Sequence, residues 1–189
     1  MTPDSPQLML LTTGKHNYLI GDRDKIDVVD GVDWSLVVDP YNPDNVTPAG
    51  YDFTLDSVQG FGYKTPKIFT DGKELPHYET RRWFESGGRK MYHLQPGIYM
   101  IRFLETVKIP ANMMGYMRPR STLTRCGITL ETAVWDPGYE GISHCLMHVL
   151  NPAAVEIEHG TRVGHMVLHP KSSSRLHIYS GQYQGEGLT

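Results

Sequence analysis

From Ile98 to Ile109 the chain alternates apolar and polar side chains and is rich in strand-favouring residues, a period of two that predicts a half-buried β-strand. Val155–Ile157 and Val163–Leu168 behave similarly, with Gly160 between them marking a hairpin-like turn. Ile142–Leu150 alternates over only part of its length, which fits a strand buried on both faces. Asp22–Asp33 is polar and suits a segment covering an edge. Between Tyr63 and Lys90 lie Gly87-Gly88, many charges and no sustained period, so residues 63–93 read as a long insertion, partly hairpin. The 19 glycines and 13 prolines are scattered as punctuation, which suits many short strands joined by turns. The pattern predicts an all-β fold, a sandwich or a jelly roll.

Composition narrows the class. The 189 residues suit one domain with a substantial core, and 39% hydrophobic and 21% charged residues are those of an ordinary globule. A net charge of −3 gives no global attraction to nucleic acid or to an anionic membrane. Two cysteines, Cys126 and Cys145, are too few for a disulfide framework and suit a reducing compartment. No apolar run nears the roughly 20 residues that span a bilayer, and no basic stretch followed by an apolar one opens the chain. A cytoplasmic location is expected.

The candidate chemistry lies in residues 118–141. Arg118, Arg120 and Arg125 concentrate positive charge beside the short hydroxyls of Ser121 and Thr122, and Asp136 follows inside an Asp-Pro-Gly turn. Guanidinium groups suit phosphates because they offer paired donors in a rigid fork. Such a stretch fits a triphosphate site, with Asp136 the group able to take a proton from water. It equally fits a basic surface loop followed by a β-turn. Ser121 is open to the same double reading, as a helix cap or turn hydroxyl and as an anion contact, since exposed N–H groups at a helix start attract anions. Leu123 and Ile128 fit one short amphipathic helix after it.

Five segments decide between these readings: Pro-Ala-Gly-Tyr-Asp-Phe at 48–53, Arg-Ser-Thr-Leu at 120–123, Trp-Asp-Pro-Gly-Tyr-Glu-Gly at 135–141, Gly-Thr-Arg-Val-Gly-His at 160–165 and Gly-Gln-Tyr-Gln-Gly at 181–185. In that order they resemble the five motifs of the dUTPase and dCTP deaminase superfamily, and Leu-Gln-Pro-Gly-Ile-Tyr at 94–99 resembles the strand entry before the second motif. The Asp-Pro-Gly turn is most like the archaeal-type branch. The resemblance implies a distorted jelly roll of the β-clip type, assembled as a homotrimer with active sites at subunit interfaces. It implies one domain over 1–189, with an N-terminal extension and edge elements over 1–47 and a mobile C-terminal arm over 180–189.

Roles follow position by position from the same resemblance. Asp136 would be the catalytic acid that orients or deprotonates water, with Arg120 and Arg125 stabilising the phosphate charge. Ser121, Thr122 and His165 would contact phosphate, and Tyr139 would pack on the deoxyribose where a 2′-hydroxyl would collide. Tyr183 and Gln184 belong to an arm that in the family closes over the nucleotide bound at a neighbouring subunit, although composition alone makes this stretch an ordinary disordered tail. Asp52 would support the site; Asn151 and Arg162 are weaker, structural candidates. Mg²⁺ would arrive with the deoxynucleoside triphosphate, held mainly by phosphate oxygens and water.

Two departures from the family pattern matter. Deaminases of the superfamily carry a Glu in the strand after Asp-Pro-Gly, whereas Ile142–Leu150 has no carboxylate, whether the matching position is Leu146 or His148. The fourth motif ends in His165 where a Gln is usual, and an imidazole can donate the same hydrogen bond. His144 and His148 invite a zinc reading, but along a strand they lie about 13 Å apart, too far to share one ion. The expected activity is therefore a dUTP diphosphatase. The alternatives are a dCTP deaminase, a bifunctional deaminase–diphosphatase, or a non-catalytic deoxynucleotide-binding regulator of the same fold.

Overall fold

The alternation at Ile98 does become a strand, and it lies at the centre of the molecule. A computed structural model describes residues 28–29, 31–171 and 178–188. Its principal elements are β1 (Gly50–Phe61), β2 (Arg89–Leu94), β3 (Gly97–Lys108), β4 (Met113–Pro119), α1 (Ser121–Arg125), β5 (Ile128–Glu131), β6 (Glu140–Val149), β7 (Val155–Glu158) and β8 (Arg162–Pro170). A nine-stranded antiparallel sheet runs in the order β4-β8-β1-β3-β6-β5, with the short strands Val38–Asp39 on β3 and Val46–Thr47 and Tyr78–Thr80 on β1. Apart from β5 and β6, neighbours in that order are not consecutive along the chain, as the crossing connections of a jelly roll require. The fold is all-β, a distorted jelly roll.

Period two becomes a one-sided core. On β3 the odd-numbered residues Tyr99, Ile101, Phe103 and Val107 point inward and are buried, as do Tyr51, Phe53 and Leu55 on β1 and Met147 on β6. Trp34, Tyr51, Phe53 and Phe103 stack in series with ring centroids 5.5–5.6 Å apart, the spacing at which stacked and edge-to-face rings attract. One inward position of β3 is a carboxylate: Glu105, which is buried and accepts hydrogen bonds from the Thr54 backbone N–H at 3.0 Å and its hydroxyl at 2.7 Å.

Three local expectations change. Gly160 does sit in a turn with φ +80°, but the strands it joins part company: β7 pairs with β2 while β8 pairs with β4 and β1. Turn chemistry alone does not say which edge a departing strand will find. β6 is buried on one face only, with its even positions half-exposed. The short helix stops at Arg125, so Ile128 opens β5 instead, and Ser121 is the helix's first residue while Arg120 holds the cap position.

The stretch read as an insertion is built of hairpins. Lys67–Ile68 pairs with Lys73–Glu74, and Phe84–Ser86 pairs with β2 across Gly87-Gly88. Of the polar N-terminal run Asp22–Asp33, most lies outside the described residues; Val28–Val29 and Val32–Asp33 form a two-stranded ribbon. Among the described residues no helix is long and apolar enough to cross a membrane.

Candidate active site

Asp52 organises one half of the site. It follows Gly50 at the start of β1, where a Cβ would run into the carbonyl oxygen of Met166, so only glycine lets β1 lie this close to β8. That approach sets the register opposing Asp52 to His165. Asp52 is 2% exposed, yet its carboxylate is fully engaged: Oδ2 meets Arg120 Nε at 2.9 Å and Oδ1 meets His165 Nδ1 at 3.0 Å. Arg162 stands 3.8 Å away and donates to the Asp44 carbonyl at 2.9 Å. A buried charge is tolerated only with such partners. In return the carboxylate fixes Arg120 at the cap of α1, directly before the exposed hydroxyls of Ser121 and Thr122. The helix is five residues long, so it offers first-turn N–H groups rather than an appreciable macrodipole. Arg118 and Arg125 are solvent-exposed on either side.

Asp136 lies in the other half. β5 and β6 pair from Ile128 opposite Val149 to Glu131 opposite Leu146, and the loop joining them carries Trp135, Asp136 and Tyr139. The Asp-Pro-Gly turn closes with Tyr139 N–H donating to the Asp136 carbonyl at 3.1 Å, and Gly138 takes φ +79°. This loop lines a cavity of about 680 Å³, within the range of small-molecule sites. Asp136 is exposed on its wall. Tyr139 is buried, with its hydroxyl accepting from Ser143 at 3.3 Å and its ring edge-on to Tyr179; burial pushes its phenol pKa up. Trp135 is fixed by donating its indole N–H to Ser143 at 2.6 Å.

The C-terminal segment 178–188 folds back on the same chain and finishes this cavity. Ile142 N–H donates to the Glu186 carbonyl at 2.7 Å and Gly185 N–H to the Glu140 carbonyl at 2.8 Å. Gln184 donates its amide to the Gly138 carbonyl at 3.1 Å and accepts from Glu140 N–H at 3.3 Å, gripping the turn that presents Asp136. Tyr183 lines the cavity, held by Lys73, whose ammonium donates to its hydroxyl at 2.9 Å.

The structure thus sorts the expected residues into two groups. Asp52, Arg120 and His165 meet; Asp136, Tyr139 and Tyr183 share the cavity, with Gln184 against its turn. Arg120, Ser121, Thr122, Arg125 and His165 do not line that cavity. Asn151 is a turn residue, bonding the Cys126 carbonyl at 3.1 Å. Residues outside the motifs also reach the cavity: Leu75 and Tyr78 from the hairpin region, and Glu131, His144 and Glu186. The alternation of β6 places His144 and Leu146 on one face, the sequence signal for the first of these. Burial lowers the His144 pKa, with Glu186 opposing and Arg102 reinforcing the shift, and burial drives the Cys145 thiol upward.

Comparison with known proteins bears on the family and the fold. Residues 23–170 match the model of the family described as dCTP deaminase-like. The chain is 34% identical to the probable deoxyuridine 5′-triphosphate nucleotidohydrolase of Aeropyrum pernix over 157 residues, covering 80% of this chain and 92% of that protein. It is 36% identical to the protein of the same name from Methanosarcina barkeri over 142 residues, covering 75% of this chain and 81% of the relative. Among solved structures, the 2′-deoxycytidine 5′-triphosphate deaminase of Agrobacterium tumefaciens superposes with a TM-score of 0.54 at 17% identity. That match covers 72% of this chain and 44% of the deaminase, and it speaks to the fold alone.

Proposed function

The chain belongs to the dCTP deaminase-like family, and we propose that within it the chain acts as a dUTP diphosphatase, turning dUTP and water into dUMP and pyrophosphate. The observation that carries this reading is the cavity face of β6. It presents His144 and Leu146, and from Ile142 to Leu150 the chain has no carboxylate where deaminases of the superfamily hold their Glu. The names of the archaeal relatives support the same reaction.

Water attacks the α-phosphorus. A new P–O bond forms, the bridging bond to the β-phosphate breaks and pyrophosphate leaves. The Asp136 carboxylate, exposed to the cavity on a turn held by Gln184, orients the water and takes its proton. Arg120 is fixed in advance by Asp52 and stabilises charge growing on the phosphate oxygens, with Ser121, Thr122, Arg125 and His165 beside it. The buried Tyr139 ring walls the sugar position and disfavours ribonucleotides.

The donors fit Mg²⁺ delivered on the triphosphate. The ion would be held mainly by phosphate oxygens and water, with Glu131 adding a hard carboxylate oxygen at the cavity wall, since among the described residues no cluster of three or more His, Cys, Asp or Glu is placed to hold an ion alone. When bound, the ion neutralises phosphate charge and aligns the chain of phosphates.

Because the phosphate group of residues and the Asp136 cavity do not meet within one chain, a complete site requires a second copy, and we place the sites at the interfaces of a homotrimer. The deciding experiment incubates the protein separately with dUTP, dCTP, dTTP and UTP in Mg²⁺ and assays pyrophosphate and ammonia. Pyrophosphate from dUTP without ammonia from dCTP is expected. Stoichiometric ammonia from dCTP would replace this reading with deamination, and tight dUTP binding without turnover would replace it with a regulatory role.

A further inference from the structure

His144 is a polar side chain in the cavity that the hydrolysis above does not use. It stands two residues before Leu146 on the same face of β6 and lines the same cavity as Asp136 and Tyr139. Its ring is asymmetric in its surroundings. Nδ1 is sealed from solvent and makes no hydrogen bond, and the Glu186 carboxylate lies 3.5 Å from it, a gap that a small rotation of either side chain closes. Glu186 is itself held by the pairing of its backbone with Ile142, so the carboxylate is a fixed feature of the closed tail.

A lone pair on Nδ1 facing that carboxylate would be repelled, whereas a proton there is attracted. Which nitrogen of a neutral imidazole carries the proton is set by the bond the other one lacks or makes. A proton on Nδ1 leaves Nε2 bare, and Nε2 is then an acceptor. Burial favours the neutral ring, which keeps that second nitrogen from being protonated as well.

We propose that His144, its tautomer locked by Glu186, selects the base by presenting Nε2 as an acceptor to a pyrimidine ring carrying an imide N–H. This rests on the nucleotide reading of the same cavity. Uracil has a hydrogen on N3 and donates to that acceptor. Cytosine has a lone pair on N3, which would face the Nε2 lone pair and leave both unsatisfied in a partly desolvated site. A site built around such a bond rejects an analogue that cannot make it far more strongly than a merely apolar pocket does. His144 therefore supplies selectivity against cytosine from the strand that, in a deaminase, carries a carboxylate to act on it.

The test is binding of the uncleavable α,β-imido analogues of dUTP and dCTP, by calorimetry in Mg²⁺, to the wild type, Glu186→Gln and His144→Gln. The wild type should prefer the uracil analogue. Glu186→Gln keeps the shape but can either accept from or donate to Nδ1, and His144→Gln offers both an oxygen and an N–H. In each the preference should fall by about tenfold or more, through gain of the cytosine analogue. An unchanged preference in both variants overturns the proposal while leaving the diphosphatase reading intact. A wild type that binds neither analogue removes that reading and the proposal together. Independently of any variant, proton–nitrogen correlation spectra of the wild type should show His144 protonated on Nδ1 with a bare Nε2. A proton on Nε2 in the free protein would also overturn the proposal.

Discussion

Asp52 and Asp136 are both aspartates in turn-like motifs, and their surroundings give them opposite tasks. Asp52 is buried and engaged by Arg120 and His165, so it fixes those two side chains in place. Asp136 is exposed to the cavity and free to meet a water. Asp136→Asn keeps the shape and removes the base, so turnover of dUTP should fall by about 10²–10⁴-fold while the imido analogue still binds. A variant keeping more than about a tenth of the activity would reduce Asp136 to the first residue of a turn. Glu105 gives a separate test at this scale. Burial is the largest influence on its pKa and raises it above the ordinary 4.5, outweighing the Thr54 hydrogen bonds that favour the charged form. The folded state then holds the Glu105 proton more tightly than the unfolded chain does. Its contribution to stability is full below the ordinary carboxyl pKa and is lost as pH rises through the raised folded value. The melting temperature of the wild type relative to Glu105→Gln should therefore fall from about pH 4 towards neutrality. A difference that stays constant or grows with pH would show that Thr54 stabilises the charged form more than burial opposes it.

Strands were legible because alternation survives in the sequence wherever one face is buried, as at Tyr99, Ile101 and Phe103. Even there, Glu105 breaks the apolar series at an inward position, and nothing near it in sequence announces Thr54 as its partner. The motifs marked the right neighbourhoods, but the bonds linking Asp52 to Arg120 and His165 join three separate strands or turns, and local pattern carries no such information. The cavity was less legible still. Its far walls come from Tyr78 in a stretch without periodicity and from a Gly-rich tail that composition alone reads as disordered. Among the described residues the buried hydrophobic side chains end at Leu168, so deleting 181–189 should leave the fold and most of the melting temperature in place. It would strip Gln184 from the Asp136 turn and Tyr183 and Glu186 from the cavity, so turnover should drop sharply. Undiminished turnover would show that the segment merely rests on the surface.

Within one chain, Arg120 and His165 lie outside the lining of the cavity that holds Asp136. The Asp52–Arg120–His165 group lies around β1, β8 and the cap of α1, and the cavity lies on the half-exposed face of β6 under the tail. If the first group binds phosphate and the cavity holds base and water, as proposed, another copy must bring the missing half. Cyclic symmetry does this economically, because a heterologous interface repeated around a ring makes every site alike. The consequence is complementation. Arg120→Ala damages only the phosphate half and Asp136→Asn only the cavity half, so homotrimers of either should be nearly inactive. When the two are mixed as unfolded chains and refolded together, random assortment pairs an intact Arg120 with an intact Asp136 across about a quarter of the interfaces. Pyrophosphate release from dUTP should then recover to roughly that fraction of the wild-type rate, well above either parent. If the site were complete within one chain, every chain in the mixture would still carry one lesion, and no activity would return.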